Sequence, residues 1–414
     1  MTYFAKNEQD ALLAGVEKAA SGFVIAWALL GCVSAHAETR ASINTSIAGQ
    51  VESNPYLLSG PNTSAASAVV TVSPGVKFLD GSKTIGIGAT YRRSEYSRRY
   101  SSNNDISANA SISQKLSPRL DYNADLGFNS AIVGANDLLT FGANPPGGGA
   151  FPPLPGDIAI TGLRQRRQSF TGGLGLGYTA SARDSFQVQG GFSLVRYPSG
   201  SVASEYDSTS GSFGYSRILN SRTSVGFNVG VSLADYRKTT IGDATTISPQ
   251  LTFSTKFGAA WSASASLGVS HSKITGPLGK YTQNSASGNF NLCNTASTGK
   301  FCLFARRSVQ PTSFGVTVRP QTSIGASYNV RLDVKSSIDA SANFSRSGQI
   351  SQVTLPSNGS VDYGQANLRY SRRLSQRLQG NLTASYADSY RDTIPRKANM
   401  MFGFGLSYAF GDMR

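Results

Sequence analysis

Apolar and polar side chains alternate along most of this chain. Near the C-terminus Phe402, Phe404, Leu406, Tyr408 and Phe410 share one parity, while small or polar residues occupy the other. Because successive side chains of a β-strand point to opposite faces, each such segment predicts an amphipathic strand. The same alternation recurs in many segments before this one. It predicts an all-β fold, a closed antiparallel transmembrane β-barrel with apolar side chains facing lipid and polar ones facing the lumen.

Short turns that share one sequence pattern join these segments two by two. Each has an apolar residue, two or three turn-forming residues and a cation, as in 79–83, 116–119, 219–222, 332–335 and 374–377. Longer connections alternate with them, at 54–67, 96–103, 132–164, 198–206, 237–244, 273–313, 349–359 and 391–398. Bacterial barrels have such short periplasmic turns and long external loops. We therefore expect about sixteen strands with both termini periplasmic, or eighteen if a hairpin within 273–313 reaches the membrane.

A second repeat contains a proline. The segment 70–78 matches 245–253, and 316–321 is a partial third copy; each carries a proline, at Pro74, Pro249 and Pro320. Proline cannot donate a backbone hydrogen bond, so it is tolerated where ladder pairing begins. We therefore place each copy at the start of a strand that descends from the external side.

The first 37 residues have the form of a signal peptide. Gly22–Val33 is an apolar stretch too short to span a bilayer as a helix, and Ala35–Ala37 supplies a small-x-small cleavage site. Cleavage after Ala37 leaves residues 38–414 as the barrel. Two alternatives stay open: a start codon set too early, and a lipoprotein whose acylated residue is Cys32. No later segment has the run of apolar residues that a transmembrane helix requires.

The mature chain is strongly basic. Removing two lysines and three acidic residues with the signal, from 38 basic and 23 acidic residues, leaves a net charge of +16. On a secreted barrel such a charge favours lipopolysaccharide phosphates and anionic saccharides as partners, and not nucleic acid.

Cys293 and Cys302 are the two cysteines left after cleavage. A pair nine positions apart in an oxidising compartment indicates a disulfide, and we expect it to close a short loop within the external connection 273–313. The alternative is two unpaired thiols.

The chemistry of an enzyme is missing from the sequence. His36 leaves with the signal, so His271 is the one histidine of the mature chain, and its parity with Leu267 and Val269 turns it outward. A Ser-His hydrolase requires a histidine beside its nucleophile, and zinc sites draw on His and Cys clusters. No phosphate-binding glycine loop is present either. We expect no enzyme, no metal and no cofactor.

Arginines mark the predicted rim and lumen. They are Arg92, Arg93, Arg98, Arg99, Arg164, Arg166, Arg167, Arg306, Arg307, Arg319, Arg369 and Arg373. Guanidinium groups bind phosphate and carboxylate groups in a bidentate manner. One interpretation is a rim that neutralises lipopolysaccharide; the other is an electrostatic funnel for an anionic solute or polysaccharide. By parity Arg319, Arg369 and Arg373 point into the lumen, together with Asp121, Asp125 and Asp339.

Four features of the sequence are shared with a known family: Glu52–Tyr56 (ESNPY) after the first strand, VTVSPGV at 70–76, Tyr-rich strand ends and the Leu-Ser-x-Arg turns. In these features the chain resembles the β-barrel porin type 2 family. The resemblance implies an outer-membrane protein of Gram-negative bacteria, of the kind associated with exopolysaccharide and sphingan gene clusters. A pore that exports an anionic exopolysaccharide or passes anionic solutes is then the expected function. The alternative is a structural or scaffold barrel of a surface-polysaccharide assembly, without an open pore. Periplasmic export components are further expected partners.

Overall fold

Eighteen β-strands make up the computed structural model of the chain, which describes residues 38–133, 158, 164–198, 203–237, 242–276, 279–313, 318–348, 360–391 and 394–411. The predicted signal peptide, its cleavage site, Cys32 and most of the connection 132–164 lie outside the described residues. Within the described part, no helical segment has the length and hydrophobicity needed to span a bilayer.

The strands follow one another along the chain in the order in which they pair. They are β1 (Glu38–Glu52), β2 (Ala65–Asp80), β3 (Lys83–Tyr96), β4 (Asn103–Ser117), β5 (Leu120–Ile132), β6 (Arg166–Thr179), β7 (Asp184–Arg196), β8 (Tyr206–Ile218), β9 (Thr223–Tyr236), β10 (Asp243–Phe257), β11 (Trp261–Gly276), β12 (Gly279–Thr295), β13 (Gly299–Pro311), β14 (Val318–Arg331), β15 (Ser336–Ser347), β16 (Val361–Arg373), β17 (Leu378–Arg391) and β18 (Ile394–Gly411).

The sheet closes on itself. Every strand pairs antiparallel with its neighbours in sequence, and β1 pairs with both β2 and β18. Closure removes the exposed edges that an open sheet would present, which is the requirement for a barrel in lipid. We call the end where β1 begins and β18 finishes the turn end, and the opposite end the loop end.

The strand count corrects the expectation of sixteen. The segment 273–313 is not one external loop, because Gly279–Thr295 and Gly299–Pro311 form the hairpin β12–β13, and the count is eighteen. Two features hid this hairpin. Its turn, at residues 296–298, lacks the leading leucine of the five turns named above, and at the loop end β11 and β12 pair as far as Gly276 and Gly279, which leaves two residues between them.

Apolar side chains form a belt around the outside. In β9 the exposed side chains Phe227, Val229, Val231 and Leu233 alternate with the more enclosed Asn228, Gly230 and Ser232. The last strand behaves in the same way, with Phe402, Phe404 and Phe410 among its exposed residues. The parity assignment made from sequence is therefore confirmed for these strands.

Two of the three repeated prolines do not stand at strand starts. Pro74 lies inside β2 and Pro249 inside β10, and each pairs with the preceding strand of the barrel wall. On the other side the ladder skips Ser73–Pro74 opposite β3 and Ser248–Pro249 opposite β11. The missing proline donor is thus accommodated by a local interruption of one ladder. Pro320 does lie near the start of β14 and pairs only with β13.

The disulfide lies at the turn end. Cys293 of β12 and Cys302 of β13 are directly opposite each other, and their sulfur atoms are bonded. Both side chains are buried and share the lumen parity of their strands. The expected position in an external loop is wrong, because residues 296–298 form a turn at the same end as the two termini.

Candidate functional site in the lumen and its loop end

An apolar cluster of buried side chains occupies one side of the loop end. We call it the tyrosine cluster; it consists of Val195, Tyr197, Ala203, Tyr206, Ala234, Tyr236, Ala244, Ile274 and Val318, all buried. Tyr206 and Tyr236 are opposite each other on β8 and β9, with ring centroids 5.5 Å apart. Below this level the same strands turn serine, glycine and asparagine into the lumen. The cluster therefore narrows a lumen that is otherwise polar.

The tip of the β13–β14 hairpin reaches this cluster. The Tyr236 hydroxyl donates to the carbonyl oxygen of Thr312 and accepts from its backbone N–H, both at 3.1 Å. The backbone N–H of Ser204 donates to Ser313 O at 2.6 Å. Since β9 and β13 are four strands apart in the barrel wall, these contacts place Thr312 and Ser313, which we call the hairpin tip, across the opening. Val318 and Arg319 are correspondingly buried, with 3% and 1% of their surfaces exposed.

A second group of tyrosines holds the connection between β1 and β2. Tyr56, Tyr96 and Tyr100 contact one another with ring centroids 5.1–5.9 Å apart. The Arg164 guanidinium lies over Tyr56 at 5.0 Å and Tyr100 at 5.3 Å. Burial raises the pKa of the Tyr100 hydroxyl, while the charges of Arg99 and Arg164 oppose this shift. The protonated hydroxyl donates to Thr63 O at 2.9 Å, which fixes the connection.

Most of the predicted rim arginines have structural partners here. Arg99 donates to the carbonyl oxygens of Pro61 and Asn62. Arg98 donates to Ser64, and Arg166 donates to Ser130 and Asn103. Arg167, on β6, also has interactions within the protein. These side chains brace loops and strand ends, which favours the structural interpretation of the rim over the funnel at this point.

Arg92 and Arg93 point to opposite faces of β3. Arg92 lies 3.3 Å from the buried carboxylate of Asp105, with which it forms an ion pair. Arg93 shares the parity of the exposed Tyr91 and pairs with Glu95 on the outside. The sequence cluster is therefore split between lumen and exterior.

A strip of arginines lines the lumen on β13, β14 and β16. Arg306, Arg319, Arg369 and Arg373 have the lumen parity of their strands, whereas Arg307 faces outward and donates to Thr322. Arg369 is directly opposite Asp339 of β15 and donates to Asn381 Oδ1 of β17 at 2.9 Å. Asp339 accepts from the amide of Asn329. The arginine strip thus contains one carboxylate near the turn end.

Carboxylates occupy the wall on the far side. Asp121 and Asp125 of β5 are directly opposite Gly177 and Gly173 of β6. A Cβ at Gly173 would come within 2.6 Å of Asp125 Oδ1, so the carboxylate lies flat over the glycine backbone. Counted around the barrel, β5 and β6 lie on the opposite side from β14 and β15. A molecule in the lumen therefore has acidic groups on one side and arginines on the other.

Hydroxyl groups dominate the wall between these two charged sides. Cross-strand hydrogen bonds join Ser224 to Ser254 at 2.8 Å, Ser248 to Ser270 at 2.7 Å, and Ser266 to Gln250 at 3.0 Å. Because each hydroxyl can also accept from a second donor, this wall presents a ladder of acceptors without formal charge.

His271 lies on the outer face, as its parity predicts. Its Nδ1 is 2.7 Å from Oδ1 of Asn284 on the neighbouring strand. The described residues contain no group of three or more His, Cys, Asp or Glu side chains placed to hold a metal ion.

Comparison with known proteins gives structural neighbours only. No protein-family model and no curated protein matches the chain. Among solved structures it is similar to Pseudomonas aeruginosa OprD (10% identity, TM-score 0.44, covering 92% of this chain and 100% of that one). It is also similar to P. aeruginosa OccK2 (OpdF) in complex with glucuronate (12%, 0.47, 90% and 98%) and to a BenF-like porin from P. fluorescens Pf-5 (12%, 0.46, 91% and 99%). The link to the β-barrel porin type 2 family stays a prediction.

Neither the tyrosine cluster nor the inward hairpin tip is among the features predicted from the sequence. A signal was present in the parity of β8 and β9, where Tyr206 and Tyr236 stand on the otherwise small and polar lumen face. A large aromatic residue at that position needs a partner inside the barrel.

Proposed function

We propose that this chain is an outer-membrane barrel of Gram-negative bacteria whose lumen passes anionic solutes. The outward apolar belt supports the location, since barrels that span the outer membrane carry such a belt on their lipid-facing side. The observation that carries the function is the arginine strip along one lumen wall, in which Arg306, Arg369 and Arg373 are exposed while Arg319 is buried. With a net charge of +16 after signal removal, such a wall concentrates anions.

The preference for anions should be moderate. Asp121, Asp125 and Asp339 also face the lumen, so cations are not excluded. Two walls of opposite charge also orient a solute that carries both an anionic group and hydroxyls. The hydroxyl wall between them suits sugars, and export of an anionic exopolysaccharide is the specific form of the proposal that the family resemblance suggests. Its partners are then lipopolysaccharide, the anionic polymer and periplasmic export components, with no catalytic step or cofactor.

Recording from the refolded protein in planar bilayers under a salt gradient tests the pore. We expect an anion-selective reversal potential, and a smaller one after Arg306→Glu and Arg369→Glu. Exchanging Arg217→Glu, on the outer parity of β8, is the matched control and should leave the potential unchanged. A cation-selective potential in the unchanged protein would reject the arginine strip as the selectivity element.

A scaffold barrel without an open pore is the second candidate. The tyrosine cluster and the hairpin tip that lies against it favour this possibility, because they occupy the loop end of the lumen. Absence of conductance, combined with loss of surface polymer in a deletion strain, would support the scaffold over the pore.

A further inference from the structure

The barrel wall is interrupted between β12 and β13. Pairing of these strands runs from Thr295–Lys300 at the turn end to Gly288–Arg307 and stops there. Within the described part of the chain, β12 continues beyond that point to Gly279 paired with β11 alone, and β13 continues to Pro311 paired with β14 alone. All residues of both strands are described, so the interruption is a feature of these two strands themselves.

The register itself does not require this separation. Extended by two residue pairs, it would place Ser287 opposite Ser308 on the lumen face and Ala286 opposite Val309 on the outer face. These pairs have the correct polarity for each face. Val309 packs instead against the tyrosine cluster inside the barrel. The contacts of Thr312 with Tyr236 and of Ser313 with Ser204 therefore hold the hairpin tip inward and keep the wall open.

The opening begins at the level of the lipid-facing belt. Gly288, the last paired residue of β12, is directly opposite Leu267 of β11, and Ala286 is opposite Val269. Leu267 and Val269 are exposed to 74% and 52% on the outer face. An unpaired strand edge in hydrocarbon leaves backbone groups without hydrogen bonds, which is unfavourable for each group. The edges therefore require a polar or amphipathic molecule beside them.

The side chains around the opening indicate what that molecule is. On the lumen side Gln283, Ser285 and Ser287 line the β12 edge, and Oε1 of Gln283 is buried without a hydrogen-bond donor. On the outer side the exposed Arg307 and His271 flank the gap. Hydroxyl and amide groups together with the guanidinium of Arg307, at the level of an apolar belt, suit an anionic head group attached to an acyl chain.

We propose that the gap between β12 and β13 is a lateral portal through which an anionic amphipathic molecule passes between the lumen and the outer leaflet. This inference rests on the proposed function only in that the barrel lies in the outer membrane; it does not require the lumen to conduct ions. The inward hairpin tip is then the element that keeps the portal open.

Paired cysteines test the opening. Asn289 and Arg306 are opposite each other within the paired part of the hairpin, and Ser287 and Ser308 are the next lumen-facing pair. Both pairs lie an even number of residues from the Cys293–Cys302 pair, so both have the close spacing that a disulfide needs in a continued ladder. In proteoliposomes Asn289→Cys with Arg306→Cys should cross-link readily on mild oxidation, and Ser287→Cys with Ser308→Cys should react at least about tenfold more slowly. Equal rates would show a closed wall and overturn the portal.

A lipid quencher tests the passage. A bimane label on Gln283→Cys, on the lumen side of the gap, should lose most of its fluorescence in vesicles that contain doxyl-labelled phosphatidylglycerol. The loss should be smaller with doxyl-labelled phosphatidylcholine, which lacks the net negative charge. The matched label on Asn228→Cys faces the lumen behind the continuous wall of β9 and should keep its fluorescence.

Several other results of these experiments would decide between the portal and its alternatives. No quenching at Gln283→Cys, or equal quenching at both labels, would overturn the proposal. Cross-linking of a single Ser308→Cys between two barrels would also overturn it, since a second copy of the chain would then cover the edge. If the barrel proves non-conducting while Gln283→Cys is quenched, the pore proposal fails and the portal stands.

Discussion

At the scale of single residues, the face of the strand on which a side chain lies determines how much a charged substitution destabilises the barrel. Val229 is exposed on the outer face of β9, and its neighbour Asn228 points into the lumen beside Gly214. A charge on the lipid face at mid-membrane costs about 2–4 kcal/mol, whereas a lumen charge remains hydrated. Val229→Arg should therefore reduce the yield of folded barrel in outer membranes, measured as the heat-modifiable band on denaturing gels. Asn228→Arg is the control and should fold normally; equal yields would contradict the facing assignment.

Gly268 makes a second residue-scale prediction. The ladder between β10 and β11 skips Ser248–Pro249, and the backbone closes in on Gly268 there. A Cβ at Gly268 would come within 1.9 Å of the carbonyl oxygen of Pro249, an atom that cannot move without the strand. Gly268→Ala should destabilise the barrel by about 1–3 kcal/mol, the usual cost of overpacking. Gly364→Ala, where a Cβ meets no atom within 4 Å, is the control, and urea titrations of both in detergent would compare them.

At the scale of strands and hairpins, the sequence predicts regular elements well and departures from them poorly. Period-two alternation places strands such as β9 and β18 on the correct face, because parity is a local property of the chain. The hairpin β12–β13 is predicted from the sequence only as the alternative of eighteen strands, because its turn lacks the usual leucine and the connection before it is short. The positions of Pro74 and Pro249 inside strands are not predicted from the sequence. Whether a ladder is interrupted at a proline depends on the neighbouring strand, which the local sequence does not specify.

The disulfide gives a prediction at this scale. Cys293 and Cys302 join β12 to β13 at the turn end, where the loop they close is short, so a chain-entropy argument gives about 2–3 kcal/mol. Replacing both by serine should lower the urea midpoint while the barrel still assembles, because β11 and β14 hold the two strands from either side. In intact cells treated with reductant, a large polyethylene-glycol maleimide should not label the thiols until the outer membrane is permeabilised. Labelling from the cell surface would contradict the turn-end position.

At the scale of the whole molecule, the lumen and the wall are linked through one hairpin. The hairpin tip lies against the tyrosine cluster inside the barrel. Because β13 is displaced inward with it, β12 has no pairing partner among the described residues on that side from Gly279 to Ser287. Narrowing of the lumen and opening of the wall are therefore two consequences of one position of the tip. No pattern within a single strand encodes this arrangement, since it depends on contacts between β9 and a connection four strands away.

Releasing the tip should widen the lumen. Tyr236→Phe keeps the ring in the tyrosine cluster but removes both hydrogen bonds between its hydroxyl and Thr312. Two buried neutral hydrogen bonds contribute about 1–3 kcal/mol together, enough to shift the position of the tip without unfolding the barrel. We expect larger or more frequent open-channel currents in planar bilayers than for the unchanged protein. Tyr122→Phe loses a single hydrogen bond to Gln114 on the outer face of β4–β5 and is the matched control, which should conduct as before. If Tyr236→Phe conducts no better than Tyr122→Phe, the hairpin tip does not set the width of the pore.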